Sequence, residues 1–230
     1  MAEVVIYRDD KTELTGHVYR PVGTARAAVA IFPTIMNPTP AVVTKAEALA
    51  KAGYLAFICD FYGRNPHDFA EAQTLASDLR QYAPAYRQRL AAGLATVRKL
   101  APDLPQAAIG FCMGGQAVLE LARNSADLVL AASFHGLLNT DLPAEPGAVK
   151  TRILVCHGDA DELVPREQVI QFWEEMDHSG ANWHFHSYSG VKHGFTNPNA
   201  PPNGDMVAYD PSADRQSWSA LLSLLDEVLG

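Results

Sequence analysis

A chain of 230 residues with 48% apolar side chains has material for one well-filled core, and one domain spanning 1–230 is the economical expectation. A formal net charge of −8 would repel phosphate backbones and anionic bilayers, so nucleic-acid and membrane-surface roles are disfavoured. Three scattered cysteines, Cys59, Cys112 and Cys156, cannot all pair; with no basic-then-apolar leader at the start and no segment long enough to span a bilayer, a reducing, cytoplasmic setting is expected.

Val4 to Arg20 alternates apolar and polar residues loosely around Asp9-Asp10-Lys11 and predicts an antiparallel hairpin laid against the edge of a larger sheet. Ala27 to Phe32 is a continuous apolar run, the pattern of a strand buried on both faces, and the prolines between Pro33 and Pro40 stop it. A helix from about Ala41 to Lys51, ending at Gly53, leads into a strand over Tyr54 to Cys59, and this strand-helix-strand order implies a right-handed parallel crossover. Asp60 to Pro66 then falls at the carboxyl edge of the sheet, where ligands of open α/β sheets gather, which makes Tyr62 and Arg64 candidates for lining a pocket.

Phe69 to Leu100 is helical in pattern, interrupted at Pro84, and carries Arg80, Arg87, Arg89 and Arg98. A solvated face is the default for most of these, while one from the N-terminal half could grip an anionic substrate. Further strands are expected at Gln106 to Gly110, Leu128 to Phe134, Ile153 to Cys156 and Trp183 to Tyr188. Helices are expected over Gly114 to Arg123, from Val164-Pro165 to about Met176, and over Ala213 to Leu229. His135, at a strand end, reads as a structural hydrogen-bonding residue. The loop Thr196 to Pro211, dense in Pro and Asn, reads as a partial lid. Strands alternating with helices give an α/β fold with a mostly parallel sheet covered on both faces.

The densest chemistry lies in Ile109-Gly110-Phe111-Cys112-Met113-Gly114-Gly115. A glycine two residues before Cys112 and another two after it fit a strand that breaks sharply into a helix, where any Cβ at those positions would collide. The sulfur would then stand over the sheet edge at a helix N-terminus, a setting that favours thiolate. A buried, inert cysteine before a glycine-rich turn fits that stretch equally well. Two downstream loops decide between them: His157-Gly158-Asp159-Ala160-Asp161-Glu162 and Lys192-His193-Gly194-Phe195 each follow a strand, giving the order nucleophile, acid, histidine.

On the Gly-Phe-Cys-Met-Gly-Gly stretch at 110–115, Gly158-x-x-Asp161-x-x-Val164-Pro165, His193-Gly-Phe and Cys59-Asp60-Phe61-Tyr62-Gly63-Arg64, the whole chain resembles the dienelactone hydrolase family of α/β-hydrolases. The resemblance implies the α/β-hydrolase fold and cleavage of a small ester or lactone by Cys112, with His193 as base and Asp161 orienting it. Asp159 is the competitor for the acid. The fold's oxyanion donors would be the backbone N–H groups of Ile35 and Met113. No metal or cofactor is implied, and a monomer or weak homo-oligomer is expected; His184 and His186 share a strand face without a matching carboxylate or cysteine. Two positions depart from the family pattern: Thr34 stands where a Glu contacts the cysteine, and Asn197 stands where an Arg binds a substrate carboxylate. Weak preference for anionic lactones follows, unless Arg64 or Arg80 takes over. Alternatives in other classes are a non-catalytic small-molecule binder on the same scaffold, or an acyl-cysteine transferase or thioesterase.

Overall fold

The computed structural model describes residues 2–10 and 12–230; Lys11, in the expected hairpin turn, lies outside them. Among the described residues the strands form one eight-stranded sheet of order β1-β2-β4-β3-β5-β6-β7-β8. β1 (Glu3–Asp9) and β2 (Thr12–Tyr19) form the antiparallel hairpin, and β2 pairs antiparallel with β4 (Leu55–Ile58). From there β3 (Ala28–Phe32), β5 (Gln106–Phe111), β6 (Leu130–Phe134), β7 (Arg152–Gly158) and β8 (Trp183–Tyr188) run parallel.

The apolar runs do what a doubly covered strand requires. In β3, Ala28, Ala30 and Phe32 point into one core layer, and Val29 and Ile31 into the other. α1 (Pro40–Lys51) and α6 (Pro211–Leu229) close the layer around Val29, while α3 (Ala83–Leu100), α4 (Met113–Arg123) and α5 (Arg166–His178) close the opposite one. Burying a large aliphatic or aromatic side chain contributes about 1.5–3 kcal/mol, so these layers dominate the stabilisation.

The helical stretch after Phe69 is two helices, α2 (Phe69–Arg80) and α3, because Pro84 sits in the first turn of α3, where its missing N–H costs nothing. Asp68 caps α2 by accepting from the Glu71 N–H at 2.9 Å. The arginines of this region are less solvated than expected. Arg87 meets Glu120 at 2.8 Å and Arg89 meets Asp9 at 2.6 Å, both largely buried, whereas Arg98 pairs with Asp127 on the surface. Among the described residues no helix is long and apolar enough to cross a membrane.

Candidate active site

All the candidate loops leave the carboxyl ends of the parallel strands, so they converge on one edge. Between β5 and α4 the chain turns at Cys112, whose backbone is held at φ 55°, ψ −118°. A non-glycine residue there is strained, and such strain persists only where its surroundings enforce it. They do: a Cβ on Gly110 would overlap the Gly114 carbonyl, and one on Gly114 would overlap the Phe32 and Pro33 carbonyls of the neighbouring loop. The glycines let three backbone segments touch.

The loop after β3 folds on itself through the Asn37 N–H donating to the Thr34 carbonyl at 2.9 Å, with Thr34 Oγ1 accepting from the Met36 N–H at 3.2 Å. Thr34 therefore shapes the turn that carries Ile35. The N–H groups of Ile35 and Met113 both face the Cys112 sulfur. Asp161, after β7, is buried and its Oδ2 lies 2.7 Å from Nδ1 of His193, after β8; its Oδ1 accepts from the Leu163 N–H at 2.9 Å. Asp159 instead forms a two-pronged surface pair with Arg166, at 3.1 and 2.7 Å. His193 Nε2 is buried without a hydrogen-bond partner of its own among the described residues, next to the Cys112 thiol.

The charges of this pair pull together. Burial pushes the Cys112 thiol up, but the His193 ring, then the Met113 and Ile35 N–H groups, hold it below the ordinary value. Burial works to lower His193 as well, yet the Asp161 carboxylate and the Cys112 sulfur raise it to about 10. Cys59 and Cys156 are buried, and burial raises both, Cys156 to about 12.

These groups lie at a cavity of about 860 Å³, whose walls include Thr34, Ile35, Met113, His193 and Asn197. Asn197 Oδ1 accepts from the Asn199 N–H at 3.0 Å and stiffens its turn. Tyr62 and Arg64 do not line the cavity. The Tyr62 hydroxyl turns inward, 3.1 Å from the Ile35 carbonyl and 3.3 Å from Met113 Sδ, so it braces both loops from behind. Arg64 is exposed and paired with Glu71 at 2.5 Å. The loop expected to form a partial lid bonds the histidine turn and walls the cavity: Ala208 N–H donates to the His193 carbonyl at 3.1 Å, Asp210 N–H to the Phe195 carbonyl at 3.2 Å, and Met206 and Val207 line the cavity.

Two further features brace the site: Asp60, within the 59–64 stretch, and His135, which takes part in the hydrogen bonding expected of it. The Asp60 carboxylate accepts from Thr15 N–H (2.9 Å), Asn37 Nδ2 (2.7 Å), Tyr62 N–H (2.9 Å) and Gly63 N–H (3.0 Å), clamping the Ile35 loop to the loop after β4. His135, buried at the end of β6, has Nδ1 3.1 Å from the Cys112 backbone N and Nε2 2.8 Å from Thr196 Oγ1. An amide nitrogen can only donate, so Nδ1 is unprotonated and the proton sits on Nε2. Burial, then the neighbouring His193, hold this imidazole well below its ordinary value, in agreement with the neutral tautomer. Among the described residues no three His, Cys, Asp or Glu side chains cluster as a metal site, and His184 touches the Arg152 guanidinium instead.

The sheet order, the strained turn between β5 and α4, and the acid and histidine loops after β7 and β8 define an α/β-hydrolase. The chain belongs to the dienelactone hydrolase family, whose sequence profile matches residues 14–229, and is a carboxylic ester or lactone hydrolase. The solved structure of m3DLH is 32% identical with a TM-score of 0.92, covering 100% of this chain and 99% of that one. The dienelactone hydrolase-like promiscuous phosphotriesterase P91 from metagenomic libraries is 30% identical with a TM-score of 0.93, covering 100% and 99%. A Bradyrhizobium sp. protein described as a probable 2-oxo-3-(5-oxofuran-2-ylidene)propanoate lactonase is 27% identical over 225 residues, 91% of this chain and 87% of its own.

Proposed function

We propose that the protein hydrolyses its ester or lactone through an acyl-cysteine on Cys112, with His193 as base and acid and Asp161 holding the His193 tautomer. The observation that carries this reading is the 2.7 Å contact of buried Asp161 with His193 Nδ1, which leaves Nε2 facing the thiol at the cavity. Cys112 Sγ attacks the carbonyl carbon and its proton resides on His193. The carbonyl oxygen takes up negative charge beside the Ile35 and Met113 N–H groups, each such donor contributing roughly 3 kcal/mol to the transition state. The C–O bond breaks, His193 gives its proton to the leaving oxygen, and water, deprotonated by His193, cleaves the thioester. No metal enters this scheme.

The test is release of acid from a chromogenic short-chain ester. Cys112→Ala is expected to lose hydrolysis with its fold retained by circular dichroism. Asp161→Asn should lower kcat by about 10³–10⁴-fold through the wrong tautomer, and Asp159→Asn far less. Wild-type turnover in Cys112→Ala would overturn the nucleophile; the opposite ranking of the two aspartates would reassign the acid.

A further inference from the structure

Four large apolar side chains that a soluble protein would ordinarily bury are instead exposed around the mouth of the cavity: Phe69 (59%), Leu163 (41%), Met206 (51%) and Val207 (39%). They come from α2, the acid loop and the loop after His193, so no single amphipathic element explains their convergence. Exposed apolar groups gathered at one concave site mark ligand contact. A cavity of about 860 Å³ also lies in the size range that holds drug-sized ligands.

Three of the four stand on the His193 side. Leu163 follows Asp161 by two residues and donates its N–H to that carboxylate at 2.9 Å. Val207 pairs with His193 in an isolated parallel bridge, and Ala208 donates to the His193 carbonyl at 3.1 Å. A Cβ on Gly194, whose φ is +69°, would meet Val207 Cγ1, so the Val207 side chain packs directly on the histidine turn. In the acylation step proposed above, the S–C bond forms, the ester C–O bond breaks, and the leaving oxygen takes its proton from His193 Nε2. The group attached to that oxygen must therefore pass this wall.

We infer that the substrate's alcohol portion is a medium-length alkyl or an aryl group, seated on the collar of Leu163, Met206 and Val207 beside His193. The inference rests on the acyl-cysteine reading and narrows it to esters of apolar alcohols. Each methylene laid on the collar leaves water, and the reaction is favoured accordingly. Alcohols from ethanol to octanol leave with nearly the same intrinsic ease, so a trend along that series reports contact.

The experiment measures acetate release from ethyl, butyl, hexyl and octyl acetate with the full chain. In the wild type, kcat/KM is expected to rise about two- to fourfold per methylene as far as hexyl. In Leu163→Ser/Met206→Ser, two exposed positions where serine disturbs no core, the rise should shrink to below about 1.5-fold per methylene. A flat or falling wild-type series, with hydrolysis still dependent on Cys112, overturns the collar alone. The same slope in the double variant does so too. If ethyl alkanoates of growing acyl length rise equally and the double variant flattens them as well, the collar serves the acyl side and the assignment to the alcohol is wrong. Hydrolysis that survives Cys112→Ala removes the acyl-cysteine reading, and this inference with it.

Discussion

Cys112 is held between opposing forces, and removing one of them has a definite sign. Burial, the largest influence, raises the thiol; the His193 ring overcomes it, helped by the Met113 and Ile35 N–H groups. Since Asp161 and the Cys112 sulfur raise His193 in turn, the pair is expected to favour thiolate with imidazolium at neutral pH. The rate of alkylation by iodoacetamide should therefore climb at a pH below the ordinary thiol value of about 8.5 in the wild type. In His193→Ala burial loses its main opponent, so that midpoint should move up and the rate at pH 7 should fall by about tenfold or more, one pKa unit being a tenfold change in thiolate. Peptide mapping should find Cys112 labelled well before Cys59 and Cys156, both buried and raised. An unshifted profile in His193→Ala, or faster labelling of either buried cysteine, would contradict the ion pair. His135 bears on the same chemistry without sharing in it. Its unprotonated Nδ1 accepts from the Cys112 amide, and its Nε2–H reaches Thr196 three residues past His193, so one neutral ring links the strained turn to the histidine loop.

At the scale of elements, the loops are held by buried charge rather than by their own propensities. Asp60 is 5% exposed and accepts four hydrogen bonds from β2, the Ile35 loop and its own turn. Changing it to asparagine replaces one acceptor oxygen with an NH₂ among donors, stranding at least one buried N–H, each such loss costing about 1–3 kcal/mol. Asp60→Asn is thus expected to lower the urea midpoint by an amount equivalent to about 2–4 kcal/mol and to reduce kcat, because the Ile35 N–H loses its backing. Equal stability and turnover in the two proteins would show that the clamp carries nothing. A second clamp runs behind the cavity: Glu120 bonds Arg87 and Arg123, while Arg123 also bonds Glu175 twice at 2.8 Å and the Leu138 carbonyl at 2.7 Å. This explains why α4, with Gln116, Glu120 and Arg123 in its sequence, is buried along its whole length. None of this could be read from the chain. The turn at Cys112, the acid loop and the histidine loop are local patterns whose glycines state their own geometry, and the apolar runs of β3, β5 and β6 state theirs. The Asp60 and Glu120 clamps join residues up to 52 positions apart, and no local pattern shows which partners will meet. Tyr62 reads as a pocket residue for the same reason: the sequence locates its loop but not the direction its side chain takes.

For the molecule as a whole, charge sets a tension. A net charge of −8 disfavours the approach of an anionic substrate, and the family resemblance implies Asn197 where a carboxylate-binding arginine is expected. Besides His193, the cavity wall nevertheless carries the cationic side chains of Lys45 and Arg80. Lys45 is occupied by Asp214 at 2.6 Å and lies over the Trp218 ring at 4.7 Å. Arg80 is different: it donates to the Ala76 carbonyl at 3.1 Å and Gln116 Oε1 at 3.3 Å, and among the described residues no carboxylate pairs with it. Arg64, the other arginine that the sequence offers, faces solvent with Glu71. A substrate anion would therefore find its partner on α2 rather than at position 197. The comparison to make is between two esters of the same alcohol, one whose acyl group ends in a free carboxylate and one where that end is a carboxamide. Arg80→Gln should lower kcat/KM for the anionic ester by about one to two orders of magnitude, the equivalent of a charged hydrogen bond of roughly 1.5–3 kcal/mol. The neutral ester should change by less than about threefold, since it loses only a neutral contact of about 0.5 kcal/mol. Arg64→Ala should leave the ratio of the two unchanged, and Asn197→Arg should raise it by adding a second cation to the wall. Equal losses on both esters in Arg80→Gln would mean that Arg80 supports the cavity without reading charge, and the enzyme would then be a neutral-ester hydrolase.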